Sequence, residues 1–267
     1  MEIESEKFIA LGNRLSGLPE VITLGVKPNF SDYTPYERGL LYRAPVILYP
    51  TFNYAQFFTT MGKRIFPSLE TYLYADEKIK QTTLFCMLDI PHPRTRFYYH
   101  LHHGDIQKEF KYPFVAKLPR ASAQGRGVFR INNKEALERY LRLTKVAYIQ
   151  EYLPHTRDLR VILVNYTPIL AYWRECGLGN FKSNLFQGGS INFEDIPPEA
   201  LELGKQFARR CKFDDVGLDL IQSNGRWFLI EANMKYGRKG LGKKGMELKQ
   251  VLREKLLLSG ALTEPPL

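Results

Sequence analysis

Three oxygen-bearing side chains stand in two apolar segments near the carboxyl end of the chain. The segments, residues 216–221 and 227–233, flank an Asn-Gly pair, which is a strong hairpin signal. Asp219 lies in the first segment, and Glu231 and Asn233 share a strand face in the second. Clustered carboxylates are costly to desolvate unless a cation joins them, and two acids with an amide suit Mg2+, with Mn2+ as an alternative. The spacing therefore suggests a divalent-metal site, whereas polar groups facing solvent are the alternative interpretation.

The length of the hairpin loop decides between these interpretations. An odd loop, such as residues 223–225, places Asp219 on the same face as Glu231. A strict two-residue loop places the two carboxylates on opposite faces. The metal site thus depends on the register of this hairpin.

A lysine on a strand and a glycine-rich loop form a second stretch with chemical potential. Lys117 belongs to the apolar segment 112–118, and a second strand is predicted at 128–131. The loop between them contains Gln124, Gly125, Arg126 and Gly127. Such a loop can fold over phosphates through backbone N–H groups and an arginine, although a tight hairpin needs glycines too. It is not a Walker loop, because no Gly-Lys-Ser/Thr ends it and no helix follows directly.

The composition indicates a globular protein, and its positive net charge indicates an anionic partner. Of its 267 residues, 44% are hydrophobic and 13% aromatic, which suffices for a buried core in one large or two small domains. The net charge of +10 implies a nucleotide, nucleic acid, acidic peptide or phospholipid surface as partner. Part of this charge lies in the glycine-rich segment 235–244, predicted to be a basic loop that is either solvated or folded over an anion.

The cysteine pattern and the apolar runs bear on the cellular compartment. Cys86, Cys176 and Cys211 are far apart, which argues against a disulfide framework and a zinc knuckle. Residues 1–7 are unlike a signal peptide, and no apolar run approaches the ~18 residues of a membrane span. We expect a soluble, cytoplasmic protein.

Apolar periodicity, caps and breakers predict a mixture of helices and strands. The further strands are predicted at residues 45–49, 65–66, 147–152, 159–164 and 169–173. The helices are predicted at residues 54–61, 76–88, 134–143, 198–211 and 247–258.

In order and spacing, residues from about 76 to 258 resemble an ATP-grasp domain of the RimK-like branch, whose members attach glutamate to carboxyl ends. The stretches that carry the resemblance are Asp76–Lys78, Pro113–Lys117 with its glycine-rich loop, Gln150–Leu153, Asp158–Arg160, Arg174, Asn180–Asn184 with Gly188 and Gly189, Asp219, and Glu231–Asn233. Each stretch alone is a weak signal, but the occurrence of all of them in this order is specific for the family.

The resemblance implies an α+β fold in which two α+β lobes grip ATP. Residues 1–75 would form a short α/β region that precedes the ATP-grasp domain, and residues 76–267 would form that domain. Its lid lobe would span about 105–150, and its metal-binding lobe about 151–267.

The resemblance also implies a role for each matching residue. The ATP-binding residues would be Lys78, Lys117, Gln124, Gly125, Arg126, Gly127, Gln150, Glu151, Tyr152, Leu153, Asp158, Lys182, Ser183 and Asn184. Gln150–Leu153 would be the hinge that reads adenine, and Glu151 or Asp158 would accept the ribose hydroxyls. Arg174 and Arg160 would be catalytic, stabilising an acyl phosphate. Asp219, Glu231 and Asn233 would hold two Mg2+ ions.

The implied activity is ATP-dependent ligation of a carboxylate to an amine, such as an amino acid, through an acyl phosphate. The carboxylate could belong to an acidic peptide or protein tail, and neither a membrane nor nucleic acid is expected as partner. The alternatives are an ATP-grasp kinase or phosphotransferase and a non-catalytic nucleotide-binding module.

The chain departs from the family pattern in three places. Lys182 stands where the family often has an arginine, and Met234–Gly237 stands where the family usually has a small residue followed by Pro-Gly. The third departure is the short N-terminal region.

Overall fold

The computed structural model describes residues 7–119, 127–175, 190–236 and 239–262. Within these ranges the strands form three sheets, and helices pack against them. The α+β class is confirmed.

The first sheet is parallel and belongs to the N-terminal region, with the strand order β2-β1-β3-β4. Its strands are β1 (Phe8–Ala10), β2 (Val21–Thr23), β3 (Val46–Leu48) and β4 (Arg64–Phe66). Its connecting helices are α1 (Pro35–Arg43) and α2 (Thr51–Thr60). Every residue of β3 is buried, as expected for an inner strand of a parallel sheet.

The second sheet is antiparallel, with the order β5-β8-β6-β7. Its strands are β5 (Thr95–Tyr99), β6 (Phe114–Lys117), β7 (Val128–Ile131) and β8 (Val146–Glu151). The helices in this region are α5 (Ile106–Glu109) and α6 (Lys134–Leu141). The Asn133 side chain caps α6, which buries Leu137 and Tyr140. The Tyr140 hydroxyl donates to Lys117 O at 2.7 Å and so fixes the end of β6.

The third sheet is antiparallel, with the order β11-β10-β9-β12-β13. Its strands are β9 (Arg157–Val164), β10 (Thr167–Glu175), β11 (Ser190–Asn192), β12 (Asp215–Ser223) and β13 (Arg226–Asn233). The helices α3 (Leu69–Tyr74), α4 (Lys78–Met87) and α7 (Pro198–Cys211) contribute to the core beside it. Gly204 of α7 faces Val161 of the central strand, where a Cβ would lie at an ordinary contact distance of 3.5 Å.

The β12–β13 hairpin brings Asp219 and Glu231 together by a route that loop length did not reveal. Its loop holds two residues, Asn224 and Gly225, both at positive φ (50° and 73°), so the odd-loop register is wrong. The register shifts between Asp219 and Leu220, where Ile230 is an extra residue in β13. This β-bulge places Asp219 directly opposite Glu231, so both side chains lie on one face.

Two predictions near the carboxyl end require correction. Lys239–Lys243 of the predicted basic loop form a short helix, α8, because Gly240 and Leu241 are buried against the third sheet. The helix predicted at 247–258 is divided into α9 (Leu248–Leu252) and a π-helical turn (Arg253–Leu257). Within the described ranges, no helix is both long and apolar enough to span a membrane.

Candidate active site

A pocket lies between the second and third sheets and is lined by the predicted hinge, Gln150–Leu153. Val115 of β6 lines it from the second sheet, and Ile221 of β12 and Ile230 of β13 line it from the third. Pro93 and His155 complete the lining. The lining is mainly apolar, and the cavity, about 30 Å³, is narrower than a typical small-molecule pocket.

Two lysines stand beside the carboxylates of the third sheet. Lys117 ends β6 and is only 6% exposed, and Lys78 begins α4. The Lys78 Nζ lies 3.2 Å from Glu231 Oε1. Burial lowers the pKa of Lys117 to about 8, although the charges of Glu231 and Asp219 oppose that effect. The structure thus brings together two predicted phosphate-binding lysines and two predicted metal ligands.

Asp219 also belongs to a buried cluster with the two predicted catalytic arginines. Arg160 donates to both carboxylate oxygens of Asp219, through Nε and through Nη2 at 2.9 Å. Arg174 donates from Nη2 to Asp219 at 2.9 Å and from Nε to Asp158 at 2.5 Å. β9 pairs with both β10 and β12, with Arg160 opposite Tyr172 and Asp219, so the sheet register assembles this cluster.

The cluster sets the protonation states of its acids. Burial alone would raise the pKa of Asp219, but the guanidinium groups of Arg160 and Arg174 outweigh it and hold the pKa below its usual value. Burial raises the pKa of Asp158, and Arg174 offsets only part of that rise. Asp219 is therefore the acid of the cluster that is best maintained as an anion.

The donor set fits a divalent ion in its chemistry. Asp219 and Glu231 are opposed on adjacent strands, Asn233 lies two residues farther along β13, and all three offer hard oxygen ligands. In the described residues, no group of three or more His, Cys, Asp and Glu side chains could hold a metal ion by itself. A cation at this set would thus take its remaining ligands from water or from a bound phosphate.

In the described part of the chain, the remaining predicted ATP-binding residues lie outside the cluster of lysines, arginines and carboxylates. Gln124, Gly125, Arg126, Lys182, Ser183 and Asn184 fall outside the described residues. Gly127 is buried immediately before β7, and its carbonyl accepts from Leu118 N–H at 2.7 Å. Glu151 accepts from Arg94 N–H at 2.6 Å, and the Arg130 guanidinium lies over the Tyr152 ring. The proposed roles of these residues in nucleotide binding stay predictions.

Sequence reasoning missed a group of residues behind the cluster. Tyr236 is 3% exposed, its carbonyl accepts from Arg160 Nη1 at 2.9 Å, and its hydroxyl donates to Asp215 Oδ1 at 2.9 Å. Asp215 is also bound by Arg14 at 2.7 Å and by the Tyr49 hydroxyl at 3.1 Å. The unusual Met234–Gly237 segment was the available signal, since Met-Lys-Tyr-Gly stands there in place of the usual small residue followed by Pro-Gly.

Gln81 of α4 is a second missed residue. It is 1% exposed and accepts from Ala232 N–H, between the predicted ligands Glu231 and Asn233, at 2.7 Å. A glutamine on a helix gives no sequence signal for such a contact.

Comparison with known proteins identifies the domain. A family model described as a RimK-like ATP-grasp domain matches residues 75–256. A probable alpha-L-glutamate ligase from Parasynechococcus marenigrum is 30% identical over 165 residues, which cover 57% of this chain and 35% of that protein. The ribosomal protein bS6–L-glutamate ligase of Escherichia coli O139:H28 is 29% identical over 137 residues, 49% of this chain and 45% of that protein. The matched regions thus span less than half the length of these curated relatives.

Solved structures share the fold at low sequence identity. A RimK domain ATP-grasp protein from Sphaerobacter thermophilus has a TM-score of 0.63 and 14% identity, covering 93% of this chain and 98% of that one. The D-alanine–D-alanine ligase of Bacillus anthracis has a TM-score of 0.65 and 11% identity, covering 91% and 87%.

Proposed function

The chain belongs to the RimK-like ATP-grasp family, and on this premise we propose that it is an ATP-dependent carboxylate–amine ligase. The observation that carries the proposal is the meeting of Lys78, Lys117, Asp219 and Glu231 beside the pocket between two sheets. Cations and hard oxygen ligands are the groups that phosphoryl transfer requires.

ATP would lie between the two sheets. Its adenine would occupy the pocket at Gln150–Leu153, and its phosphates would extend toward Lys117 and Lys78. Lys117 is already desolvated, so a phosphate oxygen would gain a strong charge-assisted hydrogen bond there. Lys78 would exchange part of its contact with Glu231 for a contact with phosphate.

Asp219, Glu231 and Asn233 would hold Mg2+, and we assign two ions to them because the family pattern does so. Bound Mg2+ would neutralise the phosphate charge that develops during transfer. Arg160 and Arg174 maintain the anionic state of Asp219, and a bound ion would share its carboxylate oxygens with these two guanidinium groups.

The reaction would proceed in two steps. A substrate carboxylate attacks the γ-phosphorus of ATP, which releases ADP and forms an acyl phosphate. An amine then attacks the acyl carbon, phosphate leaves, a proton is released and an amide forms. Arg174 and Arg160 lie in the same cluster as Asp219, where their charges would stabilise the acyl phosphate and the tetrahedral species that follows it.

For the substrates we propose an amino acid such as glutamate as the amine and an acidic peptide or protein tail as the carboxylate. The names of the two glutamate ligases that match part of the chain support the first choice. The net charge of +10 supports the second, because a cationic surface attracts an acidic tail.

Nucleotide turnover tests the proposal. The protein is incubated with ATP and Mg2+ across pools of amino acids and acidic peptides, and ADP, AMP and phosphate are measured separately. We expect ADP and phosphate in equal amounts, dependent on both a carboxylate and an amine, and an inactive Glu231→Gln control. AMP with pyrophosphate would contradict the acyl-phosphate route, and ADP without free phosphate would identify a kinase.

A further inference from the structure

The outer edge of β13 is held by α4 and the residue segment before it. Ala232 N–H donates to Gln81 Oε1 at 2.7 Å. Ala232 O accepts from Asp76 N–H at 3.0 Å and from Gln81 Nε2 at 3.4 Å. Gln81 is buried, with 1% of it exposed. Because its carboxamide bonds both backbone groups of Ala232, it replaces the hydrogen bonds that a neighbouring strand would make at this edge.

A second outer contact lies three residues earlier on the same strand. Leu229 N–H donates to Pro91 O, in the segment after α4, at 2.8 Å. In a regular strand the backbone groups that face one side recur at every second residue. Leu229 and Ala232 can therefore both face outward only if an extra residue lies between them, and Ile230 is that residue. The two outer contacts fit the bulged strand and conflict with a regular one.

The bulge decides where the carboxylate of Glu231 points. With a regular register continued from the Leu220–Leu229 pair, Asp219 would lie opposite Ile230, and Glu231 would lie opposite Leu218 on the other face. With the bulge, Glu231 lies opposite Asp219, and Ile230 lines the pocket between the sheets.

We propose that Gln81 is a positioning residue for the divalent-metal site. It holds the bulged register of β13 through both backbone groups of Ala232, and so keeps Glu231 and Asn233 on the face of Asp219. This inference rests on the proposed function, which assigns metal binding to those three residues.

The next residue on α4 provides a matched control. Thr82 is 5% exposed, and its hydroxyl shares a 2.8 Å hydrogen bond with the Tyr148 hydroxyl of the second sheet. Gln81 and Thr82 are thus two buried polar residues of one helix, and only Gln81 is bonded to β13.

The experiment measures Mn2+ binding by electron paramagnetic resonance in the presence of a non-hydrolysable ATP analogue. In Gln81→Met, which removes both hydrogen bonds to Ala232, we expect the Mn2+ Kd to rise about tenfold, as for other changes behind a ligand set. The affinity for the metal-free analogue should stay within about twofold, and Thr82→Val should retain wild-type Mn2+ affinity. In turnover assays, Gln81→Met should raise the half-saturating Mg2+ concentration more than the KM for ATP.

Glu231→Gln separates failure of this inference from failure of the proposed function. If Glu231→Gln binds Mn2+ like the wild type, the metal assignment itself is wrong. If Glu231→Gln loses Mn2+ but Gln81→Met retains it, or if Thr82→Val loses as much as Gln81→Met, the positioning role of Gln81 is overturned. Should Gln81→Met not fold, Gln81→Asn replaces it in the same measurement, because the asparagine side chain is one methylene too short to reach Ala232. Retained Mn2+ affinity in Gln81→Asn, or an equal loss in Thr82→Val, would then overturn the positioning role.

Discussion

Lys117 has an ammonium group in the interior, where desolvation of a cation is costly even near the charges of Glu231 and Asp219. It is 6% exposed, burial lowers its pKa to about 8, and its ammonium lies near the Tyr148 ring. A lysine held in this state is poised to gain binding free energy from a phosphate oxygen. We therefore propose that the burial of Lys117 serves ligand binding and not stability.

Replacement of Lys117 by methionine should separate these two contributions. We expect ATP affinity to fall roughly tenfold to a hundredfold, the value of a charged hydrogen bond. The unfolding temperature should stay unchanged or rise, because a desolvated charge is removed from the interior. Calorimetric titration and thermal unfolding measure the two effects, with the exposed Lys108→Met as control. Unchanged ATP affinity would remove Lys117 from the site.

The two predicted carboxylate ligands should respond differently to neutralisation. Glu231→Gln should abolish turnover with little change in unfolding temperature, because the Glu231 side chain is 24% exposed and contacts one lysine. Asp219→Asn should abolish turnover and also destabilise the fold, because it leaves the buried guanidinium groups of Arg160 and Arg174 short of counter-charge. Retained turnover in either variant would contradict the metal assignment.

At the scale of the elements, the sequence predicted most of the strands and helices that carry the site. The apolar segments of β6, β8, β9, β12 and β13 were recognisable because their residues are buried and follow strand periodicity. The bulge at Ile230 was not predictable, because it depends on the contacts that Gln81 and Pro91 make with the strand edge. The three-residue strands β1 and β2 were missed, although the equally short strands β3 and β4 were predicted at 45–49 and 65–66.

The packing of α8 on the third sheet depends on a glycine. A Cβ at Gly240 would lie 2.3 Å from Tyr172 Cε1, whereas a Cβ at Gly242 of the same helix would meet nothing within 4 Å. Gly240→Ala should therefore displace α8 and cost about 1–3 kcal/mol of unfolding free energy, as in overpacked cores. Gly242→Ala should be neutral or slightly stabilising, because alanine favours a helix. Denaturant unfolding of both variants tests this, and equal stabilities would contradict the packing of α8 on Tyr172.

At the scale of the whole molecule, the N-terminal region and the third sheet are joined through buried acids at the start of β12. Asp214 accepts from Ser68 N–H at 2.8 and 3.0 Å and from the Thr71 hydroxyl at 3.1 Å. Asp215 binds Arg14 and Tyr49 of the N-terminal region. The N-terminal region is thus connected to β12, the strand that carries Asp219. A shift of the N-terminal region would therefore be transmitted to the candidate active site.

This junction should make the stability of the protein depend on pH. Burial raises the pKa of Asp214 to about 7, whereas an unfolded aspartate has a pKa of about 3.9. The folded state therefore binds a proton more tightly, and stability falls as pH rises from about 4 to 7, by up to about 1.4 kcal/mol per unit. Burial, partly offset by Arg14, also raises the pKa of Asp215, which acts in the same direction.

Thermal unfolding between pH 5 and 8 of the wild type and of Asp214→Asn isolates the contribution of Asp214. The amide is neutral at every pH and can still accept from Ser68 N–H, so the variant should fold. The stability difference, Asp214→Asn minus wild type, should increase with pH up to about 7 and then level off, because only the wild type must then bury an anion. A constant difference across this range would show that Asp214 is ionised in the folded protein throughout, and that its hydrogen bonds outweigh its desolvation.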